Sequence, residues 1–104
     1  MTVSDLPINI SLESIQGFCQ RYGVRRLSLF GSVLRSDFTP DSDVDVLVEF
    51  NPGQVPGFFG LVKMEQELTQ QLQRRVDLRT PAELSHYFRD RVLREALRLY
   101  DSAG

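Results

Sequence analysis

Apolar residues recur along this chain with two different periods, and those periods predict its helices and strands. Residues 11–22 carry apolar side chains at helical spacing, with Ser11 placed to cap the start and Gly23 placed to close the end in a left-handed conformation. Residues 58–74 repeat the helical spacing and predict a second helix. Residues 51–57, which carry two prolines and two glycines, predict a loop before it.

Three short segments predict strands. Residues 24–30 form an apolar run that stops at a glycine, and residues 75–79 alternate around Asp77. Residues 43–50 alternate most clearly, with three valines on one face and two aspartates at the head of the other. The three segments predict a sheet with a carboxylate-bearing end.

The last quarter of the chain predicts a third helix. Residues 80–83, Thr-Pro-Ala-Glu, match a capping box with proline at the first helical position. The helix is predicted to run to about residue 100, and its expected apolar stripe is Val92, Leu93, Ala96, Leu97 and Tyr100.

The predicted order α, β, β, α, β, α indicates one α/β (α+β) domain over residues 1–104. It has neither an internal repeat nor a linker. Such an order favours a small mixed sheet covered by helices, here expected on one face.

Composition narrows the classes of protein that remain. The chain has 104 residues, 25% of them charged, with a net charge of −2, which argues against a protein that tracks nucleic-acid phosphates. The single cysteine, Cys19, excludes a disulfide framework and indicates a reducing, cytoplasmic compartment. Met1–Pro7 lack the features of a signal peptide, and no apolar run is long enough to cross a bilayer.

The aspartates of the alternating strand are the first candidates for chemistry. Asp43 and Asp45 stand two residues apart, so both side chains leave the same face and can converge on one cation. Magnesium favours such oxygen ligands together with substrate phosphates. The alternative is that they are solvated residues at the start of a strand.

Gly31 and Ser32 follow the first strand directly. A glycine there lets the backbone approach a ligand, and amide groups in a following helical turn can bind phosphate. The alternative is a plain turn. Arg35, three residues beyond Ser32, could reach a phosphate or be a solvated loop residue.

Taken together, these motifs resemble a known family. Gly31-Ser32, ten intervening residues, and Asp43-Val44-Asp45 resemble the signature of the DNA polymerase beta-like nucleotidyltransferase superfamily, with Asp77 in the place of its third carboxylate. Residues 80–100 resemble the end of the minimal nucleotidyltransferases (MNT, MntA-like antitoxins), which are partners of HEPN-domain toxins.

The resemblance implies a role for each site residue. Asp43 and Asp45 would ligate two Mg²⁺ ions, Asp77 would ligate the catalytic ion and help activate the attacking hydroxyl, and Gly31 and Ser32 would hold the triphosphate of ATP. Two such ions can stabilise the attacking and leaving oxygens of an in-line displacement.

The function implied is that of a type VII-like toxin–antitoxin antitoxin, which transfers AMP from ATP to a tyrosine hydroxyl of a cognate HEPN ribonuclease toxin. Two alternatives stay open: an antitoxin that only binds and occludes the toxin, and a nucleotidyltransferase acting on a small molecule.

Three further residues are weaker candidates. Lys63 could contact phosphate but fits an exposed helix lysine better. Arg79 and His86 loosely match the spacing of a HEPN nuclease motif, yet they fall on a predicted strand end and helix start, so a nuclease role is not expected. Cys19 is expected to pack in the core rather than act as a nucleophile.

Overall fold

Four strands form one mixed sheet in the computed structural model, which describes residues 5–102. The strands are β1 (Val24–Phe30), β2 (Val44–Phe50), β3 (Val76–Arg79) and β4 (Leu97–Asp101). Their order is β3-β2-β1-β4, with β1 antiparallel to both β2 and β4, and β2 parallel to β3. The predicted mixed sheet is confirmed, whereas the expectations for residues 1–4 and 103–104 lie outside the described residues.

Three helices surround the sheet: α1 (Leu12–Tyr22), α2 (Phe58–Leu72) and α3 (His86–Glu95). The first has both predicted caps, because Ser11 Oγ accepts a hydrogen bond from Ser14 N–H and Gly23 adopts φ +68° while donating to Cys19 O. None of the helices within residues 5–102 is long and apolar enough to cross a membrane.

The main core lies between one sheet face and the first two helices. Phe18 of α1 and Met64 and Leu68 of α2 are completely buried there. They pack against the inward side chains of the strands, which include Leu27, Leu29, Val44, Val46 and Val48. Because strand side chains alternate, this packing leaves Asp45 and Leu47 on the opposite face.

That opposite face carries α3. Val92 is buried with Phe30 and Leu47 in a second, smaller cluster, and the Phe88 ring lies edge-on to Phe30 at 6.4 Å. The expectation that the helices share one face therefore holds for α1 and α2 and is wrong for α3. As a result, α3 borders the face that presents Asp45.

The prediction that the third helix runs to about residue 100 is wrong. The helix stops at Glu95, Ala96 adopts an extended conformation with ψ 142°, and β4 begins at Leu97. β4 pairs with the edge of β1 that β2 leaves free. Buried backbone amides and carbonyls need hydrogen-bond partners, and only an extended segment supplies them along a strand edge.

The predicted capping box is also misplaced by one turn. Pro81–Glu83 form a short 3-10 turn, in which Thr80 Oγ1 donates to Glu83 Oε1 at 3.2 Å. Ser85 is the residue that caps α3, by accepting from Phe88 N–H. The second helix ends two residues early, at Leu72.

Candidate active site

A tight turn after β1 brings the chain against the start of β2. Phe30, the last residue of β1, pairs with Asp45, and the next residue, Gly31, adopts φ +77°, which favours glycine. A Cβ on Gly31 would lie 3.1 Å from Asp45 Cγ and closer still to one carboxylate oxygen. The buried Val33 anchors the turn. Glycine is therefore required for this approach.

Asp45 and Asp77 are direct neighbours on adjacent parallel strands. Their Cα atoms are register partners between β2 and β3, and strands so paired lie about 4.8 Å apart. Asp43 precedes β2 at the same end, where Val44 N–H donates to Arg75 O at 2.8 Å. The fold thus brings all three predicted aspartates to one end of the sheet.

Asp45 lies in an environment that disfavours its charged form. Burial raises the pKa of the Asp45 carboxyl, and the negative charges of Asp77 and Asp43 raise it further, while Arg79 and Arg35 act in the opposite direction. Ionisation of Asp45 is therefore unfavourable, and a bound cation would offset its cost.

Arginines accompany the other two aspartates. Arg79 lies two residues beyond Asp77 on the same strand, and its Nε and Nη2 atoms lie 3.1 and 3.2 Å from the two Asp77 carboxylate oxygens. Arg75 makes one longer contact, from Nε to Asp43 Oδ1 at 3.8 Å. Asp77 is therefore held by a fork of two contacts and Asp43 by a single weak one.

The donor set fits magnesium, although the side chains are not arranged around an ion. Among residues 5–102, no three acidic, histidine or cysteine side chains lie close enough to hold one ion as they stand. Three carboxylates at one sheet end nevertheless offer the oxygen ligands that Mg²⁺ prefers. The contact of Arg79 with Asp77 is one reason why the carboxylates do not converge on one point, because both Asp77 oxygens contact the guanidinium.

Two cavities meet at Phe88, next to the aspartates. The larger, of about 520 Å³, is lined by Gly31, Arg35, Phe88 and Arg91 among others. The smaller, of about 340 Å³, is lined by Asp45, Asp77, Arg79, Glu83, Leu84, Ser85, Phe30 and Phe88. The larger volume is within the usual range for a small-molecule site. The site therefore has one side towards the Gly31 turn and another towards Asp77.

The remaining candidates are placed less centrally. The Arg35 side chain pairs with Asp37 at 3.2 Å, although Arg35 also lines the larger cavity. Lys63 lies on a separate surface beside Arg21. His86 is an exposed residue of α3.

Cys19 is fully buried, and burial raises the pKa of its thiol to about 12. The reactive form of a cysteine is the thiolate, which this environment suppresses. The expected packing role is confirmed.

Two residues at the site were missed as participants. The sequence connects Arg79 only with a nuclease spacing, although its position two residues after Asp77 on a strand places both side chains on one face. Phe88 carries no local signal, since its position between the two cavities depends on α3 crossing the Asp45 face.

The fold and the carboxylate-bearing sheet end define the class of protein, a nucleotidyltransferase. Residues 13–99 match the model of the nucleotidyltransferase domain, and the chain belongs to this family. It is similar to the protein adenylyltransferase MntA of Thermococcus cleftensis, at 37% identity over 78 residues, which cover 75% of this chain and 77% of that protein. The family and the enzyme class expected from the sequence are confirmed.

Solved structures share the fold at lower identity. A chain in a toxin–antitoxin crystal structure with AMP-PNP has a TM-score of 0.71 at 19% identity, over 89% of this chain and 75% of that one. A chain in the structure of the tri-AMPylated Shewanella oneidensis HEPN toxin with MNT antitoxin has a TM-score of 0.64 at 18% identity, over 88% and 71%.

Proposed function

We propose that this chain is a type VII-like antitoxin that transfers AMP from ATP to a tyrosine hydroxyl of a HEPN ribonuclease toxin. The observation that carries the proposal is the direct pairing of Asp45 with Asp77 behind the Gly31 turn. Adjacent carboxylates repel each other, so they do not serve to stabilise the fold. Similarity to the protein adenylyltransferase MntA supports a protein as the acceptor.

Asp43, Asp45 and Asp77 would together hold two Mg²⁺ ions. When bound, the ions would supply positive charge for the attacking and leaving oxygens of the transfer. Burial and the negative charges of Asp77 and Asp43 together raise the Asp45 pKa, which supports this assignment, because a bound cation would offset the cost of ionising Asp45.

The nucleotide is assigned to the side of the Gly31 turn. Gly31 and Ser32 begin a 3-10 turn whose backbone amides can donate to phosphate oxygens. The cavity of about 520 Å³ continues from Gly31 past Arg35 and gives room for the rest of ATP. The similar toxin–antitoxin structure with AMP-PNP supports a nucleoside triphosphate as the donor of the AMP group.

The acceptor is assigned to the side of Asp77, where the smaller cavity lies. The tyrosine oxygen forms a bond to the α-phosphorus, the bond to the bridging oxygen breaks, and pyrophosphate leaves. Because a tyrosine hydroxyl has a pKa of about 10, it must lose its proton as it attacks. In this proposal the Asp77 carboxylate accepts that proton.

The acceptor tyrosine is assigned to a partner protein. The α3 helix contributes Phe88, 47% exposed, to the cavity beside Asp77, and the preceding residue, Tyr87, is 88% exposed. The AMPylated HEPN toxin in complex with an MNT antitoxin supports a HEPN protein as that partner.

Residues 1–104 would act as one domain, in the cytoplasm.

The test is the intact mass of a co-expressed HEPN-type partner after incubation with this chain, Mg²⁺ and ATP. We expect a gain of one or more AMP groups with the unaltered chain and with Asp41→Asn, an exposed loop residue. We expect no gain with Asp77→Asn. An unchanged partner mass with the unaltered chain would contradict the proposal.

A non-catalytic antitoxin is the second candidate. The ion pairs of Arg79 with Asp77 and of Arg75 with Asp43 favour it, since they partly neutralise the carboxylates without a metal. It predicts that the partner is bound and silenced without ATP, and equally well by Asp77→Asn. The same co-expression samples therefore separate the two candidates.

A further inference from the structure

We infer that Arg79 is a positioning residue, which holds the Asp77 carboxylate while no metal is bound and so makes metal binding depend on the arrival of the triphosphate. The inference rests on the proposed function, because it takes Asp77 as a metal ligand.

The geometry of the ion pair is the first support. Arg79 Nε lies 3.1 Å from Asp77 Oδ1, and Arg79 Nη2 lies 3.2 Å from Asp77 Oδ2, so the guanidinium engages both oxygens. A metal ion needs at least one of these oxygens as a ligand. Arg79 and a cation therefore compete for Asp77.

Glu83 gives Arg79 an alternative ion-pair partner. Arg79 Nη1 lies 3.5 Å from Glu83 Oε2, and the Glu83 side chain accepts a hydrogen bond from Thr80 across the 3-10 turn. If Arg79 released Asp77, it would still have Glu83 as a partner. The release therefore does not leave an unpaired guanidinium.

The Arg79–Asp77 pair is accessible to a ligand. The side chains of Arg79 and Asp77 are 47% and 36% exposed, and exposed ion pairs are weak because water screens them. Both residues line the cavity of about 340 Å³, together with Asp45. A triphosphate bound at the Gly31 turn, which lies against Asp45, would bring negative charge that can attract the guanidinium away from Asp77.

Arg75 provides a natural comparison on the neighbouring aspartate. It makes a single contact with Asp43, at 3.8 Å, and its side chain is 83% exposed. Removal of Arg75 changes the net charge near the site by the same amount as removal of Arg79. It does not remove a two-point hold on a carboxylate.

The experiment is a Mn²⁺ titration of the full chain, followed by electron paramagnetic resonance of free Mn²⁺. The titration is run without nucleotide and with AMP-PNP, each against a protein-free blank, because AMP-PNP itself binds Mn²⁺. It compares the unaltered chain with Arg79→Gln, Arg79→Lys and Arg75→Gln, each first shown to be folded by circular dichroism.

Without nucleotide, we expect Arg79→Gln to tighten Mn²⁺ binding about tenfold, the scale on which partners of metal ligands act, and Arg75→Gln to do so at most about threefold. Arg79→Lys keeps the charge but loses the fork, so we expect it to tighten binding too, by a smaller factor. With AMP-PNP present, the Mn²⁺ affinity of Arg79→Gln should exceed that of the unaltered chain by less than about twofold.

Equal effects of Arg79→Gln and Arg75→Gln would overturn the inference, because general charge would then explain both. The inference would also be overturned if Arg79→Gln still bound Mn²⁺ about tenfold more tightly than the unaltered chain when AMP-PNP is present. By contrast, failure of the unaltered chain to bind Mn²⁺ even with AMP-PNP would contradict the proposed function itself.

Discussion

The carboxylate of Asp45 lies directly against the backbone of Gly31, so closely that a Cβ on Gly31 would come within 3.1 Å of Asp45 Cγ. Gly31 also adopts φ +77°, a conformation that side-chain-bearing residues rarely take. Two independent constraints therefore require glycine at the point where the proposed phosphate-binding turn meets the proposed metal ligands.

The Gly31→Ala variant should lose both stability and activity. A left-handed conformation costs an alanine about 1–2 kcal/mol, and the added Cβ also displaces the Asp45 carboxylate. Because small misplacements at a reacting centre are expensive, we expect AMP transfer to fall by about 100-fold. Thermal unfolding and the rate of mass gain on the partner measure the two effects.

Gly53→Ala is the matched control for that variant. Gly53 has the same φ of +77°, yet nothing lies within 4 Å of a Cβ built on it. Gly53→Ala should lose stability only because alanine disfavours the left-handed backbone conformation, and its rate of AMP transfer should not change. Equal rates for the Gly31 and Gly53 variants would show that the contact with Asp45 has no role in transfer.

The Asp45→Asn variant should be more stable than the unaltered chain when no metal or nucleotide is present. Burial and the charges of Asp77 and Asp43 make the ionised Asp45 carboxylate unfavourable, and asparagine removes that charge at similar size. We expect a rise in Tm of about 2–4 °C at neutral pH, which corresponds to about 0.5 kcal/mol for a domain of this size. Scanning calorimetry in the presence of a chelator measures it.

This gain in Tm should depend on pH in a defined direction. Because the folded-state pKa of Asp45 is raised, the folded chain binds more protons than the unfolded chain between the two pKa values, and its stability falls as pH rises through that window. The advantage of Asp45→Asn should therefore be small near pH 4 and reach its full size at neutral pH. An advantage that shrinks as pH rises would refute this account of the site.

Two leucines test the strand at the end of the chain. In β4, Leu99 packs against the main core, whereas Leu93 of α3 is 46% exposed. Leu99→Ala should cost about 2 kcal/mol of unfolding free energy, and Leu93→Ala less than about 1 kcal/mol. A continuous helix to residue 100 predicts the reverse order, since Leu93 would lie on its apolar stripe. Urea denaturation of the two variants decides between them.

Cys19 should be protected from thiol reagents in the folded chain. It is fully buried, and its thiol pKa of about 12 leaves little thiolate at pH 8. We expect its reaction with a disulfide reagent to be at least about 100-fold slower than in the urea-unfolded chain. Rapid labelling of the native chain would mean that α1 opens readily.

Local patterns were sufficient for much of the fold and part of the site. The caps of α1 at Ser11 and Gly23 were predictable because capping depends on the residues within one turn. The common face of Asp43 and Asp45 followed from strand alternation alone. The Gly31 turn was indicated by its place directly after an apolar strand, and its positive φ confirms that glycine is needed there.

The amino-acid sequence by itself therefore determined the elements whose hydrogen bonds and faces are local, and it also supplied the candidate residues for the chemistry. Tertiary structure decided where distant segments meet. Leu97–Asp101 suit a helix or a strand equally by apolar spacing, and the free edge of β1 selects the strand because its backbone groups need partners. The pairing of Asp45 with Asp77, and the hold of Arg79 on Asp77 beside it, likewise depend on β3 aligning with β2 through contacts between residues far apart in the chain.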